Sequence, residues 1–314
     1  MLKSTLKKLT PLYSKYITYK NNIEIKKEKK RSQFTNKQME DNLKFVYKNR
    51  TNQDLDWNHL ERYTEKMQWV KLYGGSQLKT QLSDKYLVRQ WVADKIGDEY
   101  LVSLLGVWDS FEEINLEDLP DQFVLKVNHS SGVNLIVKDK DKIDWKIQKV
   151  IFNNALKRNF GYTESLELHY KDIQPKIIAE EYIEDSSGHL NDYKFLCFDG
   201  KVYYCWVDFD RYSEHKRNVY NLDWDLQDWN QYNYSNFEGE VPKPKNFDQM
   251  IQLAQILCEG FSHVRVDLYN VDGEIYFGEM TFTNGAGFEP IYPDEANLML
   301  GNLWQLPIDN REGD

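Results

Sequence analysis

The chain has 314 residues, of which 29% are charged and 14% aromatic, and its formal net charge is −10. This composition is typical of a globular protein and excludes a disordered or low-complexity chain. The richest apolar run, residues 100–108, is far too short to cross a bilayer, and the N-terminus shows no pattern of a cleavable secretory signal.

Charge is distributed unevenly along the chain. Residues 1–50 carry 14 Lys and Arg against 4 Asp and Glu, whereas the rest carries 26 against 46. A nucleic-acid-binding protein more often spreads basic surface over its folded body, so no nucleic-acid partner is expected. The basic run at residues 26–31 is typical of a solvated helix face; the alternative is peripheral contact with an anionic membrane.

Residues 1–80 are predicted to be mostly helical, with the polar stretch 33–54 as a loose connection. We interpret residues 1–56 as a basic, mostly helical N-terminal arm and residues 308–314 as a short tail. A further helix is predicted to begin after Asp84, a suitable N-cap, and to end at Gly97. The three cysteines lack metal-ligand spacing and are predicted to be buried thiols of a cytoplasmic protein: Cys197, Cys205 and Cys258.

From residue 119 the pattern changes to strands. Two predicted strands, 123–127 and 133–137, flank a turn that contains Ser130, Ser131 and Gly132. Lys126 lies in an apolar strand, where burial without a partner is costly, and a phosphate oxygen would be a suitable counterion. The turn can offer backbone N–H groups and hydroxyls to phosphates. Because it is not a Walker A sequence, a plain hairpin remains the alternative.

A helix is predicted over 141–159, followed by an apolar strand at 177–183 that contains Glu180 and Glu181. Such a strand offers apolar walls, backbone groups and an acceptor for the exocyclic amine of a purine. An edge strand protected by charges is the alternative. Strands at 192–198 and 202–207 follow, and then a helix over 246–259.

The last predicted hairpin pairs residues 263–269 with 275–281 through an Asp-Gly turn. Asp267 and Glu279 lie among apolar residues, where unpaired carboxylates are costly, and two carboxylates on neighbouring strands can share Mg²⁺. Arg265 is predicted to project from the same strand face as Asp267 and can hold a phosphate or a carboxylate. The alternative is a surface hairpin with solvated acids.

In this order, the segments resemble the ATP-grasp fold, and most closely its TupA-like branch, which is associated with bacterial surface-polysaccharide gene clusters. The resemblance covers about residues 57 to 307. It implies an α+β fold in which two subdomains clasp ATP: residues 57–175 with the phosphate loop, and 176–307 with the adenine hinge and magnesium site. It rests on these strings: Asp84-Lys-Tyr-Leu-Val-Arg89, Leu119-Pro-Asp-Gln-Phe-Val-Leu-Lys-Val-Asn-His129, His169-Tyr-Lys-Asp-Ile-Gln-Pro-Lys176, Asn218-Val-Tyr-Asn-Leu-Asp-Trp224 and Phe277-Gly-Glu-Met-Thr-Phe282.

The resemblance also implies how the nucleotide is bound. Lys85 and Lys126 would contact its phosphates and purine edge, and the turn from Ser130 through Ser131 to Gly132 would close over the γ-phosphate. Glu180 would accept the adenine amine. The backbone of Glu181 and Ile183 would read the ring.

The metal and catalytic roles follow from the same resemblance. Asp267 and Glu279 would bind Mg²⁺, and Thr281 stands where many family members have an Asn ligand. Arg265 would contact the transferred phosphoryl group. Arg217, with Lys216 as the alternative, would bind the triphosphate.

The implied reaction is the activation of a carboxylate by ATP. The resulting acyl-phosphate would be displaced by an amino acid or other amine to form an amide, with a uronic acid on a lipid-linked glycan as the expected acid. The basic arm would then hold the enzyme at the inner membrane face. Residues expected to bind the substrate are Arg89, His129, Asp208, Arg211 and Tyr220.

Three other functions remain open at this stage. A kinase on the same fold would use the same nucleotide residues and leave the phosphate on a glycan hydroxyl. A glycosyltransferase would use a metal motif such as Asp208-Phe-Asp210. A non-enzymatic scaffold on a decayed fold is disfavoured by the presence of both lysines and both metal-site acids.

Overall fold

The structure, a computed structural model, describes residues 2–186, 188, 190–209, 216–231 and 234–307, with side chains from residue 11 onward. The predicted tail and two predicted functional residues, Asp210 and Arg211, lie outside the described residues. Within the described part of the chain, no helix is long and apolar enough to cross a membrane.

The chain forms two compact units. Unit 1 consists of the chain up to Asn42 together with Ser76–Val88 and Val102–Tyr182. Unit 2 consists of Leu43–Gly75, Arg89–Leu101 and the chain from Ile183 onward.

Unit 1 is built on a four-stranded antiparallel sheet. Its strands are β1 (Leu104–Trp108), β2 (Phe123–Val127), β3 (Asn134–Val137) and β4 (Ile177–Glu181), in the order β1-β4-β2-β3. Alternate residues of β2 are buried, as the strand pattern predicts. They pack in a core with neighbours that include Phe111, Phe152 and Ala179. The antiparallel pairing of β2 with β3 confirms the predicted hairpin.

Helices α1 (Leu2–Arg31), α4 (Gln77–Ser83) and α6 (Trp145–Ala155) also belong to unit 1. Asp144 begins α6 as an N-cap, since its side chain accepts hydrogen bonds from two backbone N–H groups of the first turn. Helix α1 packs against α6. The buried carboxylate of Glu28 accepts hydrogen bonds from Arg158 Nε at 2.6 Å and Asn159 N at 3.1 Å.

The predicted loose connection at residues 33–54 is wrong, because helix α2 (Asn36–Thr51) occupies most of it. Thr35 and Gln38 form a capping box: each side chain accepts a hydrogen bond from the other residue's backbone N–H, at 2.9 and 3.3 Å. Four apolar residues are buried at helical spacing within a mostly polar segment: Met39, Leu43, Val46 and Tyr47.

Unit 2 contains a five-stranded antiparallel sheet with the order β10-β9-β5-β6-β7. The strands are β5 (Asp192–Phe198), β6 (Lys201–Phe209), β7 (Lys216–Tyr220), β9 (His263–Val271) and β10 (Glu274–Thr281), and α7 (Phe247–Cys258) packs on β5, β6 and β9. A two-stranded sheet pairs β8 (Asn230–Gln231) with β11 (Ile291–Tyr292). The remaining helices are α3 (Tyr63–Tyr73), α5 (Val88–Ile96), which spans the unit boundary, and α8 (Asp294–Asn302).

The hairpin of β9 and β10 confirms the predicted Asp-Gly turn, since Asp272 and Gly273 both have positive φ. A β-bulge lies between Phe277 and Glu279, so that Glu279 pairs directly with Asp267. A Cβ at the bulged Gly278 would lie 3.1 Å from the carbonyl oxygen of Asp267. The bulge therefore brings the two predicted metal ligands opposite one another.

Candidate active site

In unit 1, the predicted nucleotide-binding residues Lys126 and Glu180 form an ion pair across β2 and β4. Both side chains are mostly buried, with 22% of Lys126 and 12% of Glu180 exposed. The pairing explains how the sheet accommodates a lysine in an apolar strand. Strand β4 lies between β1 and β2, so the alternative prediction of an edge strand is wrong.

Lys85 contacts the turn that was predicted to close over phosphates. Its Nζ donates a hydrogen bond to the carbonyl oxygen of Ser130 at 2.8 Å, and its backbone N–H donates to Asn128 O at 3.1 Å. Ser130 is buried, whereas Ser131 and Gly132 are exposed. Gly132 has φ 88° and open space where a Cβ would stand, so this end of the turn is exposed and adopts a glycine conformation.

The other two hinge residues flank the point in the chain where unit 1 ends and the last segment of unit 2 begins. Glu181 is exposed at the end of β4, and its backbone N–H donates to Ser103 O at 2.9 Å. That donor is therefore already engaged within unit 1. Ile183 is the first residue of the last segment of unit 2 and is partly buried.

His129, predicted as a substrate residue, is buried in unit 1. Its Nε2 lies 3.2 Å from the carbonyl oxygen of Ala155 and its Nδ1 lies 3.3 Å from Asn128 Oδ1. Burial lowers the pKa of His129 to about 4, because a charged imidazolium would lose its hydration. The side chain is therefore neutral near pH 7.

This lowered pKa predicts a loss of stability in acid. The unfolded chain binds a proton near pH 6.5 and the folded chain only near pH 4, so the contribution of His129 is complete above 6.5 and decreases as the pH falls toward 4. The pKa shift of His129 corresponds to a change in the free energy of unfolding on the order of 3 kcal/mol. We expect His129→Gln to lose less stability than the wild type between pH 7 and pH 4 in urea titrations; equal losses would contradict this role.

In unit 2, Arg265 joins the predicted metal ligands into one cluster. Its Nε donates to Asp267 Oδ1 at 2.7 Å and its Nη2 to Asp267 Oδ2 at 2.6 Å. The same Nη2 lies 3.1 Å from both Glu279 Oε1 and Thr281 Oγ1. Arg265 Nη1 donates to Asn284 Oδ1. Arg265, Asp267, Glu279 and Thr281 thus share one sheet face.

Asp267 and Glu279 have different environments. Asp267 is 2% exposed, and burial raises the pKa of its carboxyl group although Arg265 and Lys194 oppose the shift. The side chain of Glu279 is 41% exposed. The alternative of solvated acids is therefore wrong for Asp267, whereas Glu279 has direct access to solvent.

The donor set of this cluster fits Mg²⁺. Asp267 and Glu279 supply carboxylates at directly paired positions, and the Thr281 hydroxyl lies 2.9 Å from Glu279 Oε1. All these donors are oxygens, and Mg²⁺ takes one or two protein carboxylates and completes its octahedron with water and phosphate oxygens. Among the described residues, no group of three or more His, Cys, Asp and Glu side chains is arranged to hold a metal.

The sheet also carries a row of buried charges, of which the sequence reasoning missed a central part. Lys194, on the central strand β5, forms ion pairs with Asp192, with Asp267 at 3.0 Å and with Asp208 at 3.7 Å. The available signal was the alternation Asp192-Tyr-Lys194 in an otherwise apolar strand, which places both charges on one face. Asn284, beyond the end of β10, gave no local signal.

Arg217 and Asp208 form the other end of this row. Arg217 Nε and Nη2 donate to the two carboxylate oxygens of Asp208 at 2.5 and 2.9 Å, and Nη1 donates to Gln231 Oε1 at 2.8 Å. The guanidinium lies over the rings of Trp206 and Tyr234. Asp208, which the glycosyltransferase hypothesis requires as a metal ligand, is thus already paired with a cation.

The remaining predicted substrate residues of unit 2 lie elsewhere. Tyr220, at the end of β7, stacks on Trp224 with ring centroids 4.1 Å apart, and its hydroxyl accepts a hydrogen bond from Asn218 at 2.8 Å. Arg89 is partly buried in the first turn of α5. Among the described residues of unit 2, the structure groups Arg265, Asp267, Glu279, Thr281, Asp208 and Arg217 along one charged row.

A comparison with models of protein families identifies the family of this chain. The family model described as TupA-like ATPgrasp matches residues 65–305, well over half of the chain. The chain belongs to the TupA-like ATPgrasp family. The predicted family and the α+β ATP-grasp fold are therefore confirmed. Among curated proteins, no sequence relative matches this chain.

Solved structures with a similar fold include several ligases. D-alanine–D-alanine ligase from Bacillus anthracis is 19% identical, with a TM-score of 0.37, over 66% of this chain and 59% of that enzyme. The Helicobacter pylori D-alanine–D-alanine ligase is 12% identical, with a TM-score of 0.39, over 77% of this chain and 69% of the enzyme. L-amino acid ligase from Bacillus licheniformis is 13% identical, with a TM-score of 0.41, over 68% of this chain and 44% of the enzyme. Likenesses this weak say nothing about the substrate of this chain.

Proposed function

We propose that the protein is an ATP-dependent carboxylate–amine ligase that forms an amide through an acyl-phosphate. The observation that carries this proposal is the cluster of Arg265, Asp267, Glu279 and Thr281 on one sheet face, in a chain of the ATPgrasp family. A phosphoryl-transfer site needs carboxylates for a metal ion and a fixed cation for the transferred group, and this cluster combines both.

Unit 1 would bind the nucleotide. Lys126 and Glu180 present a cation and an acceptor side by side, which suits a nucleotide that carries both phosphates and an exocyclic amine. Lys85 donates a hydrogen bond to the carbonyl oxygen of Ser130, and the exposed part of the turn, Ser131 and Gly132, is available to cover phosphates. The backbone of Glu181 and Ile183 would complete the adenine contacts.

Unit 2 would stabilise the charge of the transferred group. Asp267, Glu279 and the Thr281 hydroxyl would hold Mg²⁺, which when bound supplies positive charge to the phosphate oxygens. Arg265 is held by Asp267 and Asn284, so its guanidinium is already oriented and needs little reorganisation. Arg217 would add a second cation for the triphosphate. This role requires some of its present contacts with Asp208 to be exchanged.

The proposed acid is a uronic acid of a capsular or other surface polysaccharide, and the proposed amine is an amino acid or amino compound. Five residues are proposed to contact the substrate: Arg89, His129, Asp208, Arg211 and Tyr220. The test is an ATP-hydrolysis screen of uronic-acid glycans paired with amino acids, with products analysed by mass. A product formed with loss of water supports the ligase. A phosphorylated glycan would instead establish a kinase.

A lipid-linked glycan would place the substrate at a membrane, and we propose that the basic arm contacts the inner, anionic membrane face of a cytoplasmic enzyme. Helix α1 supports this proposal. Its inner face is docked through Glu28, whereas four apolar or aromatic side chains of its outer face are more than half exposed: Leu12, Tyr13, Tyr16 and Tyr19. Exposed tyrosines beside lysines suit the headgroup region of a bilayer.

This membrane contact predicts a defined loss of vesicle binding. Deletion of residues 1–50 is no suitable test, because it removes buried residues of α2 such as Leu43 and Tyr47. Lys15 and Lys20 are exposed on α1, and we expect Lys15→Glu with Lys20→Glu to weaken flotation with phosphatidylglycerol vesicles at least about tenfold. Charge reversal at two exposed lysines elsewhere in unit 1, Lys146 and Lys157, is the control. Equal flotation of both double variants would exclude α1 as the contact.

A further inference from the structure

The central strand of the unit 2 sheet contains a lysine to which the proposed reaction assigns no role. Lys194 is 4% exposed in its side chain, on a strand that is buried along its whole length. A lysine in such a place is costly unless its ammonium is fully paired. Its Nζ meets three carboxylates, those of Asp192, Asp267 and Asp208.

Asp267 is the point at which Lys194 meets the candidate metal site. Lys194 and Asp267 are directly paired across β5 and β9. Asp267 Oδ2 accepts from Lys194 Nζ at 3.0 Å and from Arg265 Nη2 at 2.6 Å, whereas Oδ1 accepts from Arg265 Nε. Arg265 also contacts Glu279 and Thr281, so it lies on the side of Asp267 that faces the other two predicted metal ligands. Lys194 reaches the same carboxylate from the neighbouring strand β5, which lies on the side of β9 away from β10.

We propose that Lys194 is a positioning residue for the metal ligand Asp267, an inference that rests on the proposed function. Its ammonium holds Oδ2 of the Asp267 carboxylate, which keeps the group oriented toward Glu279. A metal ligand that is held in its binding orientation binds the ion more tightly, so this contact favours metal binding.

The chemistry of the side chain explains why a lysine suits this position. An ammonium is compact and has three donors, so it can meet three carboxylates from different strands. A guanidinium is planar and offers two parallel donors to one carboxylate, as Arg217 does to Asp208 and Arg265 to Asp267. The lysine therefore lies at the centre of the charged row, with one arginine on either side.

The test measures metal binding directly. Mn²⁺ binding is followed by electron paramagnetic resonance, with a non-hydrolysable ATP analogue present, for the wild type, Lys194→Met and Lys194→Gln. We expect Lys194→Met to weaken Mn²⁺ binding about 10- to 100-fold, the usual effect of removing a partner that orients a metal ligand. Lys194→Gln, which keeps N–H donors without the charge, should fall between it and the wild type. Lys201→Met, at an exposed lysine that begins β6, is the matched control and should bind as the wild type does.

Activity separates a positioning role from a purely structural one. We expect the KM for Mg²⁺ to rise in Lys194→Gln while kcat at saturating Mg²⁺ is largely kept. Wild-type Mn²⁺ affinity in a folded Lys194→Gln variant would overturn the proposal, and so would a loss of kcat that excess Mg²⁺ does not restore. If Lys194→Met fails to fold, Lys194→Gln alone decides. Failure of the wild type itself to bind Mn²⁺ would instead contradict the proposed metal site.

Discussion

Replacement of Glu279 by Gln is expected to reduce ATP turnover at least about 100-fold while the protein stays folded. The change removes one of the two proposed metal-ligand charges, and glutamine is a poor substitute for a carboxylate at Mg²⁺. Because the Glu279 side chain is 41% exposed, the loss of its negative charge leaves little unbalanced positive charge in the core. Turnover is measured with the acid and amine that the wild type accepts, and folding by circular dichroism.

Asp267→Asn is expected to abolish turnover as well, but its folding cannot be assumed in the same way. Its charge balances both Arg265 and Lys194 in a buried position, and removal of one partner from a buried pair is strongly destabilising. Glu279→Gln is therefore the sharper variant. Glu274→Gln, at the exposed start of β10, is the matched control and should leave turnover unchanged. Wild-type turnover in Glu279→Gln would overturn the metal assignment.

The second large effect is expected in unit 1, where Lys126→Met should raise the KM for ATP about 10- to 100-fold. A charge-assisted hydrogen bond to the nucleotide contributes roughly 1.5–3 kcal/mol, which corresponds to that range. The substitution also leaves Glu180 without its ion-pair partner, so a lower unfolding temperature is expected. Steady-state kinetics at saturating acid and amine measure the first effect.

Two variants separate nucleotide binding from stability in this experiment. Lys126→Gln keeps a donor for Glu180 and should unfold closer to the wild-type temperature, yet still bind ATP weakly. Lys157→Met, at an exposed lysine of the same unit, should change neither quantity. If the KM for ATP is unchanged in folded Lys126→Gln, the predicted nucleotide contact is absent.

The elements that could be predicted are those with strong local signals. The alternating apolar residues of 123–127 predicted β2, and the Asp-Gly turn predicted the hairpin of β9 and β10. Asp84 Oδ1 accepts hydrogen bonds from the N–H groups of Tyr86 and Leu87, as the predicted cap requires, but α5 begins only at Val88 and Asp84 is also the C-cap of α4. Helix α2 has only a weak local signal, because its buried residues are spread through a polar stretch; the capping box at Thr35 is its clearest mark.

In the candidate site, too, local signals could be predicted and contacts between distant segments could not. Arg265 and Asp267 are two residues apart on one strand, so the pleat alone puts them on one face. The roles of Lys85, Lys126 and Glu180 came from resemblance to a family and stay predictions, although the structure joins Lys126 to Glu180. The contacts of Lys194 are not predictable from the sequence, because its three partners come from β5, β6 and β9, and no local pattern shows which strands become neighbours.

The sequence by itself determined strands β2 to β6, β9 and β10, the turn between β9 and β10, the shared face of Arg265 and Asp267 and the ATP-grasp family, because these depend on residue spacing and on short ordered motifs. Only the tertiary structure decided that the bulge at Gly278 sets Glu279 opposite Asp267, and that β5 places Lys194 beside Asp267 on the same face. Strand order and register depend on packing between distant segments. A shift of one residue in register would turn Glu279 to the other face of the sheet and separate the two carboxylates.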